Sequence, residues 1–354
     1  MTIAATCAAG SDDGLRPFRD RFKAHRLESS NFFVRERISD RSRLYHSYEN
    51  KFWPLLSRAW AFQESQLAPR TLRFSCHGVI WDCRTTRVEE EKQRVGRDVD
   101  DATIDLLPFF SLEECSSSDP IKAWHNTIQE YSRLDLTYQT DTLPAIAALA
   151  QRMARLRRHD TYLAGMWRST LLSDIQWHAN QFCPHQESSL PTWSWATKRE
   201  VSYDDDRRTL PSVEILSLDY TPDGPAEIGA IKDAVLTIRG PTLPLAVSPG
   251  SRHGCEFRIS HQAAFWSERK ITFHPDHKSS PDFYLDGSRS FLALFISIYE
   301  ADLSDHQGFV LRQIGTVYER VGWFMLWTWN AEERVQEPLM EHVAQLPLTT
   351  VRII

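Results

Sequence analysis

A chain of 354 residues, 42% hydrophobic and 25% charged, has the make-up of a soluble globular protein with length enough for two or three cores. Its net charge of -6 gives no global attraction to nucleic acid or an anionic membrane, and no apolar run approaches the roughly 20 residues needed to span a bilayer. Residues 1–10 lack the charged and hydrophobic regions of a signal peptide. The cysteines at 7, 76, 83, 115, 183 and 255 have no framework spacing and no Asn-x-Ser/Thr sequon occurs, which predicts a cytoplasmic protein with reduced thiols.

Residues 2–6 read as a strand. Residues 16–43 then hold many arginines, with Asp20, Glu28, Glu36 and Asp40 between them, and suit a solvated loop better than a basic arm for a partner. Pro54 fits a first helical turn and Pro69 marks where that helix must have stopped. Within it Leu56, Trp60, Gln63 and Leu67 share a face, and Glu64 lies beside Trp60 and Leu67, so a carboxylate is expected against apolar surface. The plainer alternative is a helix-surface glutamate paired with an arginine such as Arg58. Residues 71–83 follow as a hairpin around His77-Gly78, with Cys76 facing Val79, Phe74 facing Trp81 and Leu72 facing Cys83. The cysteines in it are then small core residues.

Residues 84–118 form a solvated connector without a sustained apolar face. Asp119-Pro120 opens a helix whose buried stripe is Ile121, Trp124, Ile128 and Tyr131. Further helical stretches are expected at 143–157 and 163–177, making 119–200 mainly helical. Strands follow at 213–220, 234–239, 256–260, 291–299, 309–313 and 317–327, separated by Pro, Gly and Asp turns. Residues 201–354 are therefore expected to be a mostly antiparallel β domain, a sandwich or partly open barrel.

The chain has no phosphate loop, nucleophile elbow, H-E-x-x-H or dinucleotide fingerprint. His178, Cys183 and His185, or His274, Asp276 and His277, would have to converge to hold a metal. Neither set has an established zinc spacing, so surface-loop histidines account for them better and no metal is expected. The 12 Trp and 18 Phe point to broad packing interfaces, and the Pro191-Thr192-Trp193-Ser194-Trp195-Ala196 block reads as an aromatic corner between the helical and β parts.

Ser57-Arg58-Ala59-Trp60-Ala61-Phe62-Gln63-Glu64, then Pro69-Arg70, a strand and Trp81-Asp82-Cys83, resembles the closing segment of the fungal HET (heterokaryon incompatibility) domain. Further blocks follow in that family's order: Trp124 with Tyr131-Ser132 and Leu136-Thr137, then Asp141-Thr142-Leu143-Pro144-Ala145-Ile146 and Tyr162-Leu163-Ala164-Gly165-Met166-Trp167. The 191–196 block, Tyr284-Leu285-Asp286-Gly287 and Tyr318-Glu319-Arg320-Val321-Gly322-Trp323-Phe324 complete the series. Thr2-Ile3-Ala4-Ala5-Thr6 resembles the last HET strand. The "Y-x-x-L-S-Y-x-W-G"-like and "D-x-L-C-I-x-Q"-like blocks that similar proteins carry before it do not occur here. The resemblance thus implies a truncated gene product, a misplaced start codon or an expressed C-terminal piece.

The resemblance implies an α+β chain: a remnant of a TIR-like α/β domain at 1–83, the connector, the helical region at 119–200, and the β-rich domain at 201–354. It implies a role in allorecognition and programmed cell-death signalling, acting through a protein partner or self-association. In the related TIR-type enzymes a helix bearing W-x-x-x-E supplies a glutamate that stabilises the ribosyl cation as NAD loses nicotinamide. Glu64 occupies that place here, supported by Trp60. NAD cleavage by a completed domain is therefore an alternative function, with no cofactor expected for this chain alone. A degenerate fragment without activity is the remaining alternative.

Overall fold

The structure, a computed structural model, describes residues 1–6, 8, 14–15, 25–26, 33–34, 54–75, 78–83, 87–89, 92–95, 119–179, 189–204, 206–224, 231–249, 255–261, 264–267, 271–276, 284, 290–299, 305–326 and 339–354. They belong to two compact units, Met1–Leu156 and Arg157–Ile354, each mixing helices with sheet. Within the solvated connector expected over 84–118, residues 87–89 and 92–95 are instead strands of the first sheet, and the rest lies outside the described residues, as do Cys183, His185 and His277.

In the first unit, β1 (Thr2–Ala5), β4 (Arg70–Ser75), β5 (Gly78–Cys83), β6 (Arg87–Glu89) and β7 (Lys92–Val95) form one sheet in that order, and β2 (His25–Arg26) pairs with β3 (Phe33–Val34). β1 and β4 are parallel, the other pairs antiparallel. A parallel pair needs a crossover, and helix α1 (Ala59–Leu67) lies within it. Ser65 on α1 accepts a hydrogen bond from Arg73 of β4 at 2.9 Å, and Arg73 pairs with Asp82 of β5 at 3.4 Å.

The β4–β5 hairpin has a different register from the expected one. Ser75 opposes Gly78, so Phe74 faces Val79, Leu72 faces Trp81 and Arg70 faces Cys83. A slip of two residues leaves every side chain on its original face, so the apolar pattern cannot distinguish the two registers.

Helix α2 (Pro120–Tyr131) starts as expected, with Asp119 accepting from the Ile121 amide at 2.9 Å and proline in the first turn. Trp124, Ile128 and Tyr131 are buried. A 3-10 turn at Pro144–Ile146 leads into α3 (Ala147–Leu156), which buries Leu149, Ala150 and Met153. The expected helical middle is divided: α2 and α3 belong to the unit of the first sheet, and residues from Arg157 onward to the second.

There the helix expected over 163–177 is replaced by a tight hairpin, β8 (Tyr162–Leu163) and β9 (Met166–Trp167), followed by α4 (Leu171–Asp174). Ala164 and Gly165 take φ of 50° and 91°, the left-handed pair that a two-residue hairpin turn requires and a helix forbids. Their apolar spacing resembled a helix because both sides of the hairpin are buried.

Next come β10 (His178–Ala179) and β11 (Val201–Ser202), paired as a two-stranded ribbon. The main sheet holds β12 (Arg207–Thr209), β13 (Glu214–Pro222), β14 (Ile231–Pro249), β15 (Cys255–Ile259), β16 (Thr272–Pro275), β17 (Phe291–Tyr299), β18 (His306–Ile314), β19 (Val317–Leu326) and β20 (Leu348–Ile353). Two short helices, α5 (Ala264–Ser267) and α6 (Leu339–Ala344), complete the elements.

The 19-residue β14 pairs β13 and β20 through its first half, then β17 and β15 through its second. Since β17, β18, β19 and β20 are themselves joined in order, the ladder returns to β14 and closes. The expected sandwich or partly open barrel is thus a closed ring of pairings with flanking strands, and closure removes free edges from the ring. Ile238, Leu243, Leu294, Phe295, Phe309 and Phe324 are buried in its core.

Candidate functional site

The segment entering α1 is fixed by its backbone. The Asp135 amide donates to the Ser57 carbonyl at 2.6 Å, and the Ala59 amide donates to the Asp135 carbonyl at 3.0 Å. Gln63 Oε1 accepts from the Ala148 amide at 2.7 Å, tying α1 to the first turn of α3. Trp60 Nε1 donates to Asp141 Oδ2 at 3.3 Å, Phe62 lies 6.0 Å from the Tyr131 ring, and the Tyr131 hydroxyl donates to the Thr142 carbonyl at 2.5 Å. Burial, with Asp141 nearby, pushes the Tyr131 hydroxyl well above the usual phenol range. The sequence blocks at 57–64, 131–137 and 141–146 therefore meet around one helix.

Glu64 and Trp60 are where the structure departs from the expected site. α1 packs inward through Ala59 and Gln66, while Glu64 is exposed and Trp60 is 42% exposed. Glu64 is open to solvent rather than enclosed. Arg58 is exposed too, and no ion pair joins it to Glu64 among the described residues. The expected face was centred on Trp60 and Leu67 and left out Gln66, whereas the helix turns Ala59 and Gln66 inward and leaves Trp60 partly exposed. Here Gln63 is spent on a helix end and Gln66 is buried at 3% exposure.

In the second unit the 191–196 block is the packed aromatic corner expected of it. Trp193, Trp195 and Ala196 are wholly buried. Trp195 Nε1 donates to the Gly165 carbonyl at 2.8 Å, Ser194 Oγ to the Ala164 carbonyl at 2.7 Å, and Trp177 Nε1 to the Trp193 carbonyl at 2.9 Å. Thr192 Oγ1 accepts the Arg320 amide at 3.0 Å.

Arg320 anchors this region. Its guanidinium forks onto both oxygens of Asp276 at 2.8 and 3.2 Å, with both side chains fully enclosed. It also donates to the carbonyls of Ile175 at 2.9 Å and Trp177 at 2.6 Å, and lies 3.5 Å from the centre of the Trp177 ring. Arg207, ion-paired with Asp204, donates to the intervening Gln176 carbonyl at 3.3 Å. Successive carbonyls at 175, 176 and 177 are thus held by two buried arginines. Asp276 is a structural counter-ion, not a loop residue awaiting a metal.

Beside this lies a cluster around Trp323. His274 stacks on the indole at 4.3 Å and 11°, His178 packs at 4.9 Å, and the Arg207 guanidinium lies 5.3 Å from the ring centre. Burial, then the charge of Arg207, pushes the His178 imidazole down to about 4. Both histidines are therefore packing residues of the β unit rather than surface-loop groups. Among the described residues no three His, Cys, Asp or Glu side chains are grouped to hold a metal ion.

Sequence reasoning missed Arg207, Arg320 and the contact of Gln63 with α3. Arg320 gave no signal of its burial, since neighbouring residues of a strand point to opposite faces and an arginine beside an apolar run can equally face solvent. No helix among the described residues is long and apolar enough to cross a membrane. No family model, curated protein or solved structure matches the chain.

Proposed function

We propose that this chain is a HET-type protein of fungal allorecognition and programmed cell-death signalling, working in the cytoplasm through contact with a protein partner or a second copy of itself. The order of its sequence blocks supports this reading, as does the meeting of three of them through Trp60 with Asp141, Ala59 with Asp135, and Tyr131 with Thr142. The observation that carries it is the division of labour along α1. Residues that face inward hold the unit together, whereas Arg58, Trp60 and Glu64 face solvent, where a partner reaches them.

Inducible expression in a fungal host tests the reading. The wild-type chain is expected to arrest growth, and Trp60→Ala combined with Glu64→Arg to relieve the arrest at equal protein level. Unchanged arrest by the double variant, or none from the wild type, would sink the proposal. Glu64 is exposed to water, whereas a carboxylate that stabilises a developing cation works in a water-excluded site, so the purified chain is expected not to consume NAD. Turnover of NAD abolished by Glu64→Gln would replace the signalling reading with the catalytic one.

A further inference from the structure

We propose that the β10–β11 ribbon is an acid-released latch, held to the β unit by the neutral imidazole of His178 seated on Trp323 and freed when that imidazole takes up a proton. The inference is independent of the function proposed above.

The ribbon is short, pairing only His178 with Ser202 and Ala179 with Val201, so its attachment depends on what its side chains touch. His178 packs against Trp323 of β19, whose indole also carries His274 of β16 and the Arg207 guanidinium of β12. The charged and titratable groups facing His178 are Arg207 and its partner Asp204, Arg320 of β19, and His274. Arg320 is neutralised by Asp276, and Arg207 by Asp204. With both imidazoles neutral the cluster is balanced. One proton on His178 adds a third cation between two arginines that cannot give theirs up. His178 Nδ1 is sealed from solvent and has no hydrogen-bond partner among the described residues, so none of them offers an acceptor for a new N–H.

The depressed proton affinity of the docked imidazole is the thermodynamic face of the same geometry. A released histidine binds its proton at a pH of about 6.5. The open state therefore gains a proton before the docked one. The sign follows: docking is at full strength above about pH 6.5 and weakens as pH falls, by about tenfold in the opening constant per pH unit until the docked imidazole itself titrates near 4.

Hydrogen exchange of the full chain, followed by mass spectrometry and corrected for intrinsic exchange rates, tests this between pH 7.5 and 4.5. Opening in peptides spanning 175–179 and 200–203 is expected to rise about tenfold per pH unit below 6.5, with peptides from β17 and β18 unchanged. His178→Phe keeps a ring on Trp323 without a titrating nitrogen and is expected to flatten the rise, whereas His274→Phe keeps it. Opening independent of pH, an equal rise in His178→Phe, or a simultaneous rise in every peptide overturns the proposal. Should the phenylalanine variant fail to fold, the imidazole Hε1 resonance of wild-type His178 decides by NMR. A midpoint near 4 supports the latch, and an ordinary midpoint near 6.5 with the ribbon still protected rejects it.

Discussion

An enclosed guanidinium must have its charge and its N–H donors met from within the protein, and Arg320 meets them with one carboxylate and two main-chain carbonyls. Those partners are 44, 145 and 143 residues away in the chain, so nothing in the local sequence could announce them. The pair is asymmetric in its consequences. Replacing Asp276 with alanine strands a buried cation and is expected to cost about 3–5 kcal/mol, read as a fall in the urea midpoint at constant slope. Arg320→Lys is expected to cost a comparable amount, since an ammonium cannot reproduce the fork while holding both carbonyls. Glu64→Gln, on an exposed side chain, should stay within about 0.5 kcal/mol of wild type. If Glu64→Gln proved the more damaging, the ranking of these residues by enclosure would be wrong.

Helix α1 shows which part of an element its sequence discloses. Its existence and its end before Pro69 followed from the sequence, but its start did not: Pro54, expected in the first helical turn, lies in a turn before the helix, whose first residue is Ala59. Its orientation did not follow, because Trp60 is the largest apolar residue of the segment and yet stays partly exposed, whereas the polar Gln66 is buried. Gln63→Ala removes the acceptor for the Ala148 amide and is expected to cost about 1 kcal/mol, the scale of a lost helix cap. Trp60→Ala loses one indole hydrogen bond on a partly exposed ring and should cost no more than that. Thermal unfolding of the two variants measures both. A large loss for Trp60→Ala would mean that the ring supports the fold, and would weaken its assignment to partner contact. The β8–β9 hairpin failed in the sequence for a different reason: Ala164 is not a residue that advertises a left-handed conformation, so the turn was hidden inside an apolar run.

At the scale of the molecule, six strands of the main sheet were legible, whereas β12, β16 and β20 and the closure of the ring were not. The expected strands at 291–299 and 317–327 match β17 and β19 closely, since alternating or continuous apolar runs bounded by turns report strand identity directly. Closure depends on β14 changing partners midway, from β20 to β17, and no local pattern encodes a change of neighbour. The point where the ring is tightest offers a test. At Gly308 of β18, an added Cβ would lie 1.9 Å from the Leu294 carbonyl oxygen and 2.9 Å from the Phe295 Cα, both backbone atoms of β17. This contact sits beside the register shift between Phe295 and Ser297, where β17 bends. Backbone cannot move aside as a side chain can, so Gly308→Ala must part β17 from β18 and open the ring, at an expected cost above about 3 kcal/mol. Gly315→Ala is the matching control. Its φ of +59° strains an alanine, but nothing lies within 4 Å of the new methyl, so a loss of only about 1 kcal/mol is expected. Equal melting temperatures for the two variants would show that β17 and β18 are not pressed together as closure of the ring demands.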